Sequence, residues 1–421
     1  MTLDDRTEQE QLDLVFGHSL FEALCHRRVR RFGLGYELDD GTFAFKSTKE
    51  PVPLSDLETA LVLWAGDGIN GLALGEAQVA TGVHSTWNGR VHPCSCNDQH
   101  TLMLFVDDRG VFAYEPPSAS RVVEVSTPED RRKILGIYRT NVAQLAGERP
   151  DFSSAAWIKA NLWMANRPGS SMFFPLIDVS AEYINILLAI FEREKLRIID
   201  ERTGDWAGIG TWIKDGKLSG PQVTLSYVEL TTLNSCIAAA HYKAQNMALA
   251  CEAIGIGNAT FNGFTPMVVL GGTPFSKGLG LRFVAGKDGT PNPVGLDGHL
   301  EGHCPPYFAS MDEAVDDIVA IRYAERGILR PDFSGATPFK DWQGLVGKAR
   351  RLSNEAIQAT KDFCNYVYRT YGRFPALIDT IQAPVATQLH HLDLDFYAKY
   401  YPEEAIPEAH RNHMTNWHDD L

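Results

Sequence analysis

Apolar positions in the opening segment recur at steps of three and four. Leu12, Val15, Phe16, Leu20, Ala23 and Leu24 line one face of EQEQLDLVFGHSLFEALCHRR, which predicts a helix ending in basic residues. Ser55 followed by Glu58 forms a capping box and opens a second helix that should stop near Gly66. TLMLFVDDRGVFAYEPP reads as two strands about the turn Asp107-Asp108-Arg109-Gly110. YINILLAIF, from Tyr183 to Phe191 and closed by Glu182 and Glu192, is a buried helix or strand. A long helix through NSCIAAAHYKAQNMALACEAIGIG is stopped by Gly255 and Gly257, and a strand-like MVVLGG follows. Turn residues crowd Asp288 to Pro306, which reads as an irregular connection or lid. Beyond it DWQGLVGKARRLSNEAIQATKDFCNYVYRTYG and the tail predict a helical extension, whose many aromatics would be costly to leave in water.

Composition narrows the class. A chain of 421 residues, 44% hydrophobic and 22% charged, is a soluble globular protein with a sizeable core. A net charge of −14 repels phosphate polymers and anionic membranes, so no nucleic-acid or membrane partner is expected. No apolar run reaches the ~20 residues that span a bilayer. The acidic start lacks the features of a secretory signal, and seven scattered cysteines do not form a disulfide framework, so a cytoplasmic setting with reduced thiols is expected.

The candidate chemistry lies in three places. Arg27, Arg28, Arg30 and Arg31 in CHRRVRRFG offer guanidinium groups suited to a phosphate dianion, although cations at a helix C-terminus are favoured by the macrodipole without any ligand. NGRVHPCSCNDQH gathers Cys94, Cys96, His92 and His100, leaving open a metal site, a reactive thiol or plain packing; a lone C-x-C is a weak zinc signal. The tail holds His390, His391, Asp393, Asp395, His410, His413 and His418, dense enough for a metal. With no H-E-x-x-H spacing the preferred reading is a polar cap, and no metal ligand is assigned.

QNMALACEAIGIG resembles the Q-N-L-L-L-A-A-x-A-L-G-L-G stretch of the nitroreductase-like flavoprotein superfamily, HRRVRRF resembles its R-R-S-V-R-x-F motif, and LVLWAGDGING followed by RVHPCSCNDQH resembles the azoline-oxidase branch. The resemblance covers roughly residues 15 to 285. It implies an α+β sandwich, a mostly antiparallel sheet flanked by helices, over residues 1–300; residues 301–421 lie outside it and read as a mainly helical extension, a lid or dimer arm. It also implies an intertwined homodimer binding FMN through His26, Arg28, Arg30, Pro93, Cys94, Ser95, Asn246, Gly255, Gly257 and Arg282. The implied activity is hydride transfer through flavin N5 to or from a small-molecule or peptide-borne substrate, with NAD(P)H as reductant. The alternatives are a flavin-binding or sequestering protein without turnover and an oxygen-using dehydrogenase or oxidase.

Overall fold

A computed structural model describes residues 3–73, 87–94, 100–115, 125, 127–323, 340–341, 343–344 and 351–418. The first helical pattern forms two helices, α1 (Leu3–Gly17) and α2 (Leu20–His26), because Ser19 adopts an extended backbone and caps the second through the Glu22 N–H. The capping box at Ser55 opens α3 (Asp56–Asp67), with both reciprocal hydrogen bonds formed.

The principal sheet is built from β1 (Thr101–Asp107), β2 (Gly110–Tyr114), β3 (Val142–Ala146), β4 (Ser171–Asp178), β5 (Gly257–Phe261) and β6 (Ala386–His390). Their order is β5-β6-β4-β1-β2-β3, every pairing antiparallel, and Ile381–Gln382 adds a short pairing to β4. Alternation divides the sheet into two buried faces. Met103, Phe105, Phe112, Tyr114 and Phe173 pack with α3 and with the long helix α5 (Leu225–Ile254); Leu102, Leu104, Val106, Met172 and Phe174 pack with Phe152, Val268 and Leu281. Phe105 stands between Phe112 and Phe173 at ring separations of 5.0 and 5.5 Å.

α3 and α5 cross closely. A Cβ on Gly66 would lie 2.9 Å from Met247 Cγ, so glycine permits the approach. YINILLAIF is helical: it lies in α4 (Val179–Arg193), which Asp178 caps through the Ser180 and Ala181 N–H groups. α4 packs with α6 (Met311–Tyr323) and α7 (Asn354–Tyr371) around Tyr183, Phe191, Val315, Phe363 and Phe374. Short helices follow β6, ending in α8 (His413–Trp417).

The molecule is therefore α+β, its main sheet covered by helices. Two local expectations are corrected. MVVLGG is no strand: Pro266 begins a short helix through Leu270 and Gly271 ends it with φ of 99°, while the strand after α5 is β5. Asp288 to Pro306 is not irregular throughout, because Pro291–Leu296 pairs with Arg282–Ala285 and with Leu300–Glu301. The region after residue 301, read as mainly helical, also supplies a strand of the main sheet, since β6 lies between β5 and β4. Among the described residues, no helix is long and apolar enough to cross a membrane.

Candidate functional site

At the C-terminal end of α5 the buried Glu252 receives Arg30 Nη1 at 2.9 Å on each carboxylate oxygen and the Arg28 backbone N–H at 3.1 Å. Arg30 Nη2 also donates to the His26 carbonyl at 3.1 Å. Burial raises the pKa of Glu252, and Arg30 opposes the rise. Gly255 closes α5 in the left-handed region, with φ of 96°. Gly257 leaves room for its neighbours, because a Cβ there would lie 2.7 Å from His390 Nε2 and 2.9 Å from the Arg30 carbonyl oxygen. His26, Arg28, Arg30, Gly255 and Gly257 thus meet in one corner. Their side chains differ in availability: Arg30 is committed to Glu252, His26 pairs with Glu22 at 2.9 Å, and exposed Arg28 donates to the Arg27 carbonyl at 2.8 Å.

A second group gathers two to three turns back along α5. Lys243 and Asp67 form a wholly buried ion pair at 2.7 Å, and Lys243 also donates to Thr101 Oγ1. Burial pulls the Lys243 pKa down against the attraction of Asp67. Arg90 donates to the Asp67 carbonyl at 3.0 Å, and His92 lies 3.6 Å from the Asp67 carboxylate. Burial, reinforced by Lys243, holds His92 at about 3, so its ring is neutral. Asn246 donates to the Val91 carbonyl at 3.0 Å, which fastens the Cys94 loop to α5. Pro93 is exposed; Cys94 is half-buried and lines a narrow cavity with His100, Thr101, Glu182 and Ser235. Ser95 and Cys96 lie outside the described residues.

Behind that cavity His303 stands between Asp178, at 2.8 Å, and Asp317, at 3.3 Å, with its ring 5.8 Å from that of His100. Arg282 joins neither group: its partners are Asp297 at 3.8 Å and the face of Tyr307 at 5.6 Å.

The tail histidines divide. His410 approaches Glu252 at 3.8 Å, and His390 abuts Gly257. His391, His413 and His418 gather around Glu58. In the sequence Glu58 reads only as a helix cap, and Asp67, Lys243 and Glu252 are not among the candidate site residues. Asp67 and Glu252 carry a signal: each is a charge set in an otherwise apolar helical stretch, where burial demands a partner.

No family model and no curated protein matches the chain. Among solved structures it is similar to a proposed nitroreductase from Ralstonia eutropha JMP134, at 12% identity and a TM-score of 0.27, over 60% of this chain and 74% of that one. At that identity and score the likeness decides neither fold nor activity.

Proposed function

We propose that the chain is a flavin-dependent oxidoreductase. The observation that carries this reading is the meeting of three motifs on one helix. The arginine run reaches α5 through Glu252, the Cys94 loop reaches it through Asn246, and the glycine pair closes its end. Motifs separate in sequence have a shared reason to converge if they surround one ligand.

The anion-binding chemistry fits in part. Arg28 presents an exposed guanidinium, and Arg27 has a buried Nε without a hydrogen-bond partner. These two arginines would hold a phosphate dianion, whereas Arg30 would first have to leave Glu252. When bound, FMN supplies hydride transfer at N5, with NAD(P)H as donor and a small or peptide-borne organic molecule as substrate. Apolar residues exposed on α1, α2 and α5, among them Leu20, Phe21, Leu24, Tyr227 and Leu230, support a homodimer that covers them.

The Arg30–Glu252 pair favours a second reading, in which the chain fills the anion seat with its own carboxylate and binds no flavin. Purified protein separates the two. Visible flavin absorption, lost in Arg27→Ala/Arg28→Ala and bleached by NADPH or NADH, supports the oxidoreductase; protein that stays colourless after incubation with FMN supports the filled seat.

A further inference from the structure

Beside the corner that holds Glu252, three imidazole nitrogens crowd a single oxygen. His391 Nε2, His413 Nε2 and His418 Nε2 lie 3.0, 2.8 and 3.2 Å from Glu58 Oε1, and all four donor atoms fall within 4.8 Å of one another. The side chains of Glu58, His391, His413 and His418 are 0%, 0%, 2% and 13% exposed.

The second nitrogen of two rings fixes where their protons are. His391 Nδ1 is 3.0 Å from the Val52 carbonyl oxygen, and His413 Nδ1 is 2.9 Å from that of Ile254. A carbonyl oxygen only accepts, so each Nδ1 carries the hydrogen. In the neutral rings His391 Nε2 then presents a lone pair to a carboxylate oxygen, and His413 Nε2, buried 2.8 Å from the same oxygen, has no hydrogen-bond partner, so acceptors crowd an acceptor. Protonating both rings would set two buried imidazoliums against each other, since His391 and His413 stack at 5.1 Å. A cation at the focus removes the conflict without adding a proton.

We propose that Glu58, His391, His413 and His418 bind one divalent transition-metal ion. With metal–ligand bonds of roughly 2.0–2.2 Å, donors in neighbouring coordination positions sit about 3.0–3.5 Å apart, close to the separations of the three imidazole nitrogens from Glu58 Oε1. Glu58 Oε2 accepts the Ser55 N–H at 2.5 Å, which leaves Oε1 as a monodentate ligand. The carbonyls of Val52 and Ile254 are the outer partners that orient ligating histidines. Three imidazoles and a carboxylate suit zinc or a neighbouring first-row ion. Four protein ligands in a buried setting make the site structural: the ion ties the end of β6 and α8 to the first turn of α3.

The test uses full-length protein stripped by a chelator. Expected are one equivalent of bound zinc by calorimetry, visible d–d absorption when cobalt(II) replaces it, and a melting temperature raised by several degrees with zinc. His418→Ala removes the most exposed ligand and should weaken zinc at least tenfold, while its metal-free form melts with metal-free wild type. Absence of both cobalt absorption and a zinc-induced rise in wild type overturns the proposal, and so does zinc binding by His418→Ala as tight as wild type. None of these readouts involves flavin, so the oxidoreductase reading can fail while this one stands.

Discussion

Arg30 and Glu252 form an ion pair that water does not reach, with one guanidinium nitrogen 2.9 Å from both carboxylate oxygens and exposures of 4% and 1%. Glu252→Met leaves the guanidinium in a low-dielectric corner without its counter-charge, which should cost about 3–5 kcal/mol. Arg30→Met combined with Glu252→Met removes both charges and should cost much less than the sum of the single changes. Urea denaturation of the four proteins in a double-mutant cycle measures the coupling.

Lys243 and Asp67 should behave alike for stability but differ in consequence. Lys243→Met leaves the Asp67 carboxylate with Arg90, at 3.7 Å, as its remaining cation and should destabilise by up to about 3–5 kcal/mol. Because Lys243 also bonds Thr101 at the start of β1, hydrogen exchange should quicken there first.

His303 predicts an alkaline limit. Burial opposes its charge, yet the bonds from Asp178 and Asp317 outweigh burial and lift its pKa to about 9. A raised pKa contributes stability fully below the ordinary histidine value of about 6.5 and loses it as pH rises through about 9. Asp178 is shifted down, burial being outweighed by His303, so its contribution is lost as pH falls through the carboxylate range. Melting temperature scanned from about pH 6 to about pH 10 should fall on the alkaline side in wild type, and His303→Gln should flatten that fall.

Removing the chain beyond Glu301 would take away β6, leaving β4 and β5 without the strand between them. It would also strip α7 from Tyr183 and Phe191. The truncated protein should be recovered as aggregate, in keeping with unpaired strand edges and exposed core. A soluble monodisperse product with native far-UV circular dichroism would contradict this.

The parts legible in sequence were those governed by neighbours a few residues apart. The Ser55 cap, the Asp107–Gly110 hairpin and the long helix ending at Gly255 were read correctly, because turn chemistry and periodicity are local. MVVLGG misled because a short apolar run has no period, and Pro266 decided it. The place of β6 was hidden because its partners, Phe173 and Ala259 among their neighbours, lie far back in the chain. The same distance hid the Glu58 cluster: His391, His413 and His418 were each visible, but no spacing tied them to a glutamate near the other end. Arg30 could be seen as a candidate anion ligand, whereas its commitment to Glu252 required the folded chain.

The interior position of β6 also sets an order of events during synthesis. Most of the sheet can pair as the chain leaves the ribosome, but the gap between β4 and β5 stays open until residue 390 has emerged. Through most of translation the growing polypeptide carries two facing strand borders that only its own late segment can seal. Such long-range closure is slow and leaves nascent chains open to mispairing, so chaperone holding during synthesis should govern how much active protein a cell obtains.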